Sequence, residues 1–146
     1  MSDKLLTLWR YLRTPKKFKS RAQIEKWQRK RIAKHIKFVR KNSVFYANHW
    51  QGLGDEDWQK FPLVNKALMM DNLENLLTID LDLEEAYSIA KSAEITRDFS
   101  SRVADVSIGF SSGTSGSRGV HVVSDNEGSN WAGFMLARGL GGSILG

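Results

Sequence analysis

The stretch Val106-Ser107-Ile108-Gly109-Phe110-Ser111-Ser112-Gly113-Thr114-Ser115-Gly116-Ser117-Arg118-Gly119-Val120-His121-Val122-Val123 decides how this chain is read. From Val106 to Phe110 apolar and polar residues nearly alternate, which predicts a strand. Val120 to Val123 predicts a second, short strand. The nine residues between them contain four Ser, one Thr, three Gly and one Arg. Gly113, Gly116 and Gly119 permit positive-φ backbone and close approach to a ligand. Successive N–H groups in such turns can form a concave nest for an anion. The hydroxyls add donors, and Arg118 adds a planar guanidinium suited to phosphate. A polyphosphate needs this combination of many short donors, little bulk and positive charge. On composition alone the segment reads equally well as a flexible Ser/Gly linker. Its shortness, its β-like flanks and the ordered Thr and Arg favour a binding loop. It is neither a Walker A loop, which needs a Gly-Lys-[Ser/Thr] end, nor a G-x-G-x-x-G dinucleotide turn.

Working outward, residues 125–138 predict a helix with Trp131, Phe134 and Met135 facing inward. Residues 139–146 are apolar and glycine-rich, whereas domain boundaries are normally polar. The expectation is an interior segment with more protein beyond it. Upstream, Leu5, Leu6, Leu8, Trp9 and Leu12 space as one apolar face of a short helix over 3–13, which Thr14-Pro15 interrupts. Ser20 and Gln23 form a capping-box pattern that opens a long helix through Asn42-Ser43. Ile24, Trp27, Ile32, Ile36 and Val39 recur along it at helical spacing. Val44-Phe45-Tyr46 and Trp50 predict an aromatic cluster on that helix. Residues 52–57 read as a loop, and Pro62 makes residues 61–64 extended. Asn65 caps a helix to about Leu76, and Asp82 with Glu85 opens another to about Thr96.

The bulk numbers fit an ordinary globular chain of 146 residues, 41% apolar and 26% charged. With no cysteine, disulfides and thiolate metal sites are excluded. His35, His49 and His121 lie far apart, and no metal is assigned to them. No apolar run approaches the ~20 residues that span a bilayer, and the N-terminus lacks a secretory signal, so a cytoplasmic location is expected. The net charge of +6 is divided unevenly. Residues 1–50 carry fifteen Lys and Arg against two acids, and residues 51–146 carry seven against fourteen. Such a division suggests a nucleic-acid or membrane contact, or attraction between the halves.

Phe110-Ser111-Ser112-Gly113-Thr114-Ser115-Gly116 resembles the phosphate loop of the adenylate-forming superfamily, which contains acyl- and aryl-CoA ligases. Residues 111–116 match its S-[ST]-G-[ST]-[ST]-G pattern throughout. Beyond them, Arg118 stands where Pro is usual and Gly119 where Lys is usual. The loop, with the helical region before it, resembles the branch of phenylacetate–CoA ligase and CapK-like proteins. Phe61-Pro62-Leu63-Val64-Asn65-Lys66 is similar to that branch's LP-x-x-x-K helix entry, and Ser43-Val44-Phe45-Tyr46 to its SPFY segment. The resemblance implies activation of a carboxylic acid by ATP and Mg2+, giving an acyl-adenylate and pyrophosphate, with transfer to coenzyme A in many members. By carry-over, Ser111, Ser112, Gly113, Thr114, Ser115 and Gly116 would contact phosphates, Thr114 foremost, and Arg118 would replace the missing Lys. The family's Tyr-Gly-x-[ST]-Glu segment, ribose-binding Asp and late catalytic Lys lie downstream of the loop. No catalytic residue is therefore assigned here, and this chain alone is expected to be inactive without a remainder C-terminal to Gly146.

The expected fold class is α/β: N-terminal helices over 1–100, then a β-loop-β-helix unit over 101–146 that begins a nucleotide-binding core. The competing reading is a basic helical module that binds nucleic acid or a membrane surface without catalysis. Cations surround the 20–42 helix widely instead of forming one stripe, which favours a solvated helix over a nucleic-acid partner.

Overall fold

Local hydrogen bonding sets where the main helices begin. Ser20, Asn65 and Asp82 all cap: Ser20 Oγ accepts from the Gln23 N–H, Asn65 Oδ1 from the Leu68 N–H, and Asp82 Oδ1 from Glu84 and Glu85. The Gln23 amide reaches back one residue further than a strict capping box, accepting from the Lys19 N–H at 2.9 Å. The computed structural model describes residues 3–15, 17–98, 100, 102–103, 105–111 and 118–139. Its helices are α1 (Asp3–Arg13), α2 (Arg21–Asn42), α3 (Val44–His49), α4 (Lys66–Asp71), α5 (Leu73–Leu76), α6 (Leu83–Thr96) and α7 (Asp125–Gly139). A 3-10 turn, Asp55–Lys60, replaces part of the loop expected after Trp50. Strands β1 (Val106–Phe110) and β2 (Val120–Ser124) lie between α6 and α7.

The strands pair antiparallel, with Phe110 opposite Val120, Ile108 opposite Val122 and Val106 opposite Ser124. Because side chains alternate across a strand, Val106, Ile108, Phe110, Val120 and Val122 share one face. That face covers Ala86 and Ala90 of α6, together with Leu81 and Val103, and forms the principal core. The result is a mixed α/β architecture, mostly helical, with a two-stranded sheet.

Two expectations are corrected, and a third gains detail. The helix foreseen over 65–76 is two, α4 and α5, because Asn72 leaves helical geometry at φ −122°, ψ 21°. Its side-chain amide bonds the Leu68 carbonyl instead. The aromatic cluster after Ser43 is itself helical: Ser43 caps α3, and Phe45, Tyr46, His49 and Trp50 stack along it. Most consequentially, Trp131, Phe134 and Met135 do not face inward, and Trp131 is 68% exposed. The inner face of α7 is Ser129, Gly133 and Ala137. Those small residues let α1 approach so closely that a Cβ on Gly133 would lie 2.6 Å from Arg10 Cβ and 2.9 Å from the Tyr11 nitrogen. Likewise, of the apolar residues on α2 only Ile36 and Val39 are buried, where the helix meets α3.

Candidate functional site

The paired ends Phe110 and Val120 form the neck of the Ser/Gly loop. Pairing continues one step into the loop: the Ser111 N–H donates to the Gly119 carbonyl, and the Gly119 N–H donates to Ser111 Oγ, each at 2.8 Å. Ser111 therefore works first as a clasp. Its amide is consumed in the neck, while its hydroxyl, accepting from Gly119, keeps its own hydrogen to donate.

Arg118 stands beside this clasp. Its Nε donates to the Ser111 carbonyl at 3.2 Å, and its two terminal nitrogens bond the Glu94 carboxylate of α6 in a fork, one of them at 2.8 Å. The guanidinium also lies 4.8 Å above the Phe110 ring, whose ring in turn stacks with Tyr87 of α6. The fork to Arg118 holds the Glu94 carboxyl below its usual range and keeps Arg118 charged. Thus the helix that fills the core also fixes the loop's cation.

A second cation comes from far away in sequence. Lys66, the first residue of α4, brings Cε to 3.1 Å and Nζ to 3.8 Å of the point where a Gly119 Cβ would sit. Ser111 Oγ is 3.5 Å from the same point. Gly119 is free as a glycine to adopt positive φ. It does not, since it sits in extended pairing with Ser111; Gly52, at φ 79°, is the described glycine in that region. What Gly119 provides is space for Lys66.

Of the residues singled out from sequence, the structure brings Ser111 and Arg118 together. Ser112, Gly113, Thr114, Ser115 and Gly116 lie outside the described residues. Lys66 and Glu94 were not assigned to the site, because no spacing rule connects them to residue 111. The Lys66 helix entry and the Asp82 cap of α6 were the available signals.

A concavity of about 640 Å³ lies elsewhere and is lined by Glu74, Asp80, Asp82 and Glu84, whose charge opposes a polyphosphate. Among the described residues no three His, Asp or Glu side chains gather as metal ligands, and no helix is long and apolar enough to cross a membrane. Compared with family models, curated proteins and solved structures, the chain shows no match.

Proposed function

We propose that the chain is the N-terminal portion of an ATP-dependent ligase that activates a carboxylic acid as its acyl-adenylate. The observation that carries this reading is the convergence of Lys66, Ser111 and Arg118 on the neck of a Ser/Gly loop between two strands. Two cationic side chains and a hydroxyl gathered at one point suit the terminal phosphates of a nucleoside triphosphate. In the reaction, a carboxylate oxygen bonds the α-phosphorus of ATP, the bond from that phosphorus to the bridging oxygen breaks, and pyrophosphate departs with the electron pair. Charge grows on the departing phosphates, and fixed cations there lower the barrier without reorganising.

Within this reading the clasp positions the loop, Lys66 and the loop hydroxyls receive the phosphates, and Arg118 supplies charge at the loop's base. Mg2+ would arrive on the nucleotide, since the described residues offer no acidic cluster at the neck. Coenzyme A would then accept the acyl group from the adenylate, with release of AMP, and a cytoplasmic location agrees with the use of ATP.

The test is a titration of magnesium pyrophosphate and Mg-ATP into the protein, followed by amide NMR. Resonances of residues 111–119 and of Lys66 should shift together, and Lys66→Ala should weaken the response several-fold. Undisturbed loop amides at millimolar ligand would overturn the assignment. For the full ligase, carboxylate-dependent exchange of pyrophosphate into ATP is expected, whereas residues 1–146 alone should show none.

A further inference from the structure

Helix α1 is amphipathic in the opposite sense to a buried helix. Successive residues turn by about 100°, which places Leu5, Leu8, Trp9 and Leu12 on one arc of about 100°. Thr7, Arg10 and Tyr11, which meet α7 at Gly133, lie on the other side. The apolar arc consequently points to solvent: Leu5 is 58% and Leu12 56% exposed. Lys4 flanks the arc on one edge and Arg13 on the other, and the Arg10 and Arg13 guanidinium groups lie 4.7 and 4.8 Å from the centre of the Trp9 ring.

We propose that this face of α1 docks flat on an anionic lipid bilayer surface. Charge complementarity selects the occupant. Fifteen Lys and Arg against two acids lie within residues 1–50. Lys16, Lys17, Lys19 and Arg21 follow α1 directly, and Lys26, Lys30, Lys34 and Lys37 are exposed along α2. A polyanionic surface is therefore the partner, and an apolar arc between the cations separates lipid from nucleic acid, whose phosphates would leave Leu5, Leu8 and Leu12 in water. At about 16 Å, α1 is too short to span a bilayer and long enough to lie within its interface. The leucines and Trp9 would enter the headgroup–acyl boundary, with Lys4 and Arg13 meeting acidic headgroups on either edge. This surface is separate from the loop neck and does not depend on the ligase reading.

The test is flotation of the chain with phosphatidylcholine vesicles, with or without about a third phosphatidylserine. Flotation only with the anionic vesicles is expected, together with quenching of Trp9 by brominated lipid that is absent in Trp9→Phe. Leu5→Gln, Leu8→Gln and Leu12→Gln combined should lower partitioning by roughly tenfold or more, with helix content unchanged by circular dichroism because these side chains are exposed. Binding that survives the triple substitution would show charge attraction alone and overturn the proposal. So would an absence of flotation, whether accompanied by retention on DNA or by a dimer in sedimentation that the triple substitution dissolves.

Discussion

Gly133 offers the sharpest test of how α1 joins the rest of the chain. Two glycines lie inside α7, Gly128 and Gly133, and each should gain from replacement by alanine on helix propensity alone, by up to about 1 kcal/mol. Their surroundings differ. Nothing lies within 4 Å of a Cβ on Gly128, so Gly128→Ala should stabilise by most of that amount. A Cβ on Gly133 would meet Arg10 Cβ at 2.6 Å, the Tyr11 nitrogen at 2.9 Å and the Thr7 carbonyl oxygen at 3.0 Å. Comfortable contacts begin near 3.5 Å, so α1 would have to retreat by roughly 1 Å. Two of the three atoms are backbone and cannot rotate away. Overpacking of this kind costs about 1–3 kcal/mol, which exceeds the propensity gain, so Gly133→Ala should destabilise by about 1–2 kcal/mol. In urea, the two variants should therefore move the midpoint in opposite directions and differ by about 1 M. Tryptic cleavage after Arg10 and Arg13 should accelerate in Gly133→Ala and not in Gly128→Ala. Equal stabilisation by both substitutions would refute the docking of α1 on this face of α7.

The other predictions concern the α3 cap and the loop neck. Ser43 is 1% exposed, caps α3 by accepting from the Tyr46 N–H, and donates to the Asn75 carbonyl at 3.1 Å. Ser43→Ala should cost about 2–3 kcal/mol in urea unfolding, the loss of a cap plus a buried carbonyl left without its donor. Because its folded carboxyl is held below the unfolded value, Glu94 contributes stability above the unfolded pKa. That contribution should disappear as pH falls through the folded value. A carbon-13 titration of Glu94 should show the depressed value return to the ordinary carboxylate range in Arg118→Ala, and an unchanged titration would deny the fork. Gly119→Ala crowds Lys66 Cε at 3.1 Å, a flexible side chain that can yield. It should leave stability within about 0.5 kcal/mol and weaken the pyrophosphate response of the loop.

What could be read from sequence, and what could not, divides by the range of the interactions involved. Ser20, Asn65 and Asp82 announce helix starts because a cap needs only its own next three residues. The alternation from Val106 to Phe110 and the apolar run after Gly119 announce a hairpin for the same reason. The facing of α7 is a different matter. Trp131, Phe134 and Met135 repeat at helical spacing, and so do Ser129, Gly133 and Ala137; periodicity identifies both stripes and cannot rank them. Burial of large side chains favours the first stripe, whereas close helix–helix approach requires the second. The Thr7–Arg10–Tyr11 face of α1 selects the second, a partner more than a hundred residues away.

The site divides in the same way. Ser111 and Arg118 belong to one local motif, but the groups that give them a setting, Glu94 and Lys66, come from α6 and the start of α4. Glu94 fixes Arg118 against Phe110, so the guanidinium presents its charge beside the hairpin neck. Lys66 enters from the first turn of α4, just behind the Asn65 cap, on a side chain with four rotatable bonds. A phosphate arriving at the neck would therefore compete with Glu94 for Arg118. On that competition, Glu94→Gln should tighten pyrophosphate binding several-fold by weakening the hold on Arg118, and an unchanged affinity would show that the guanidinium takes no part.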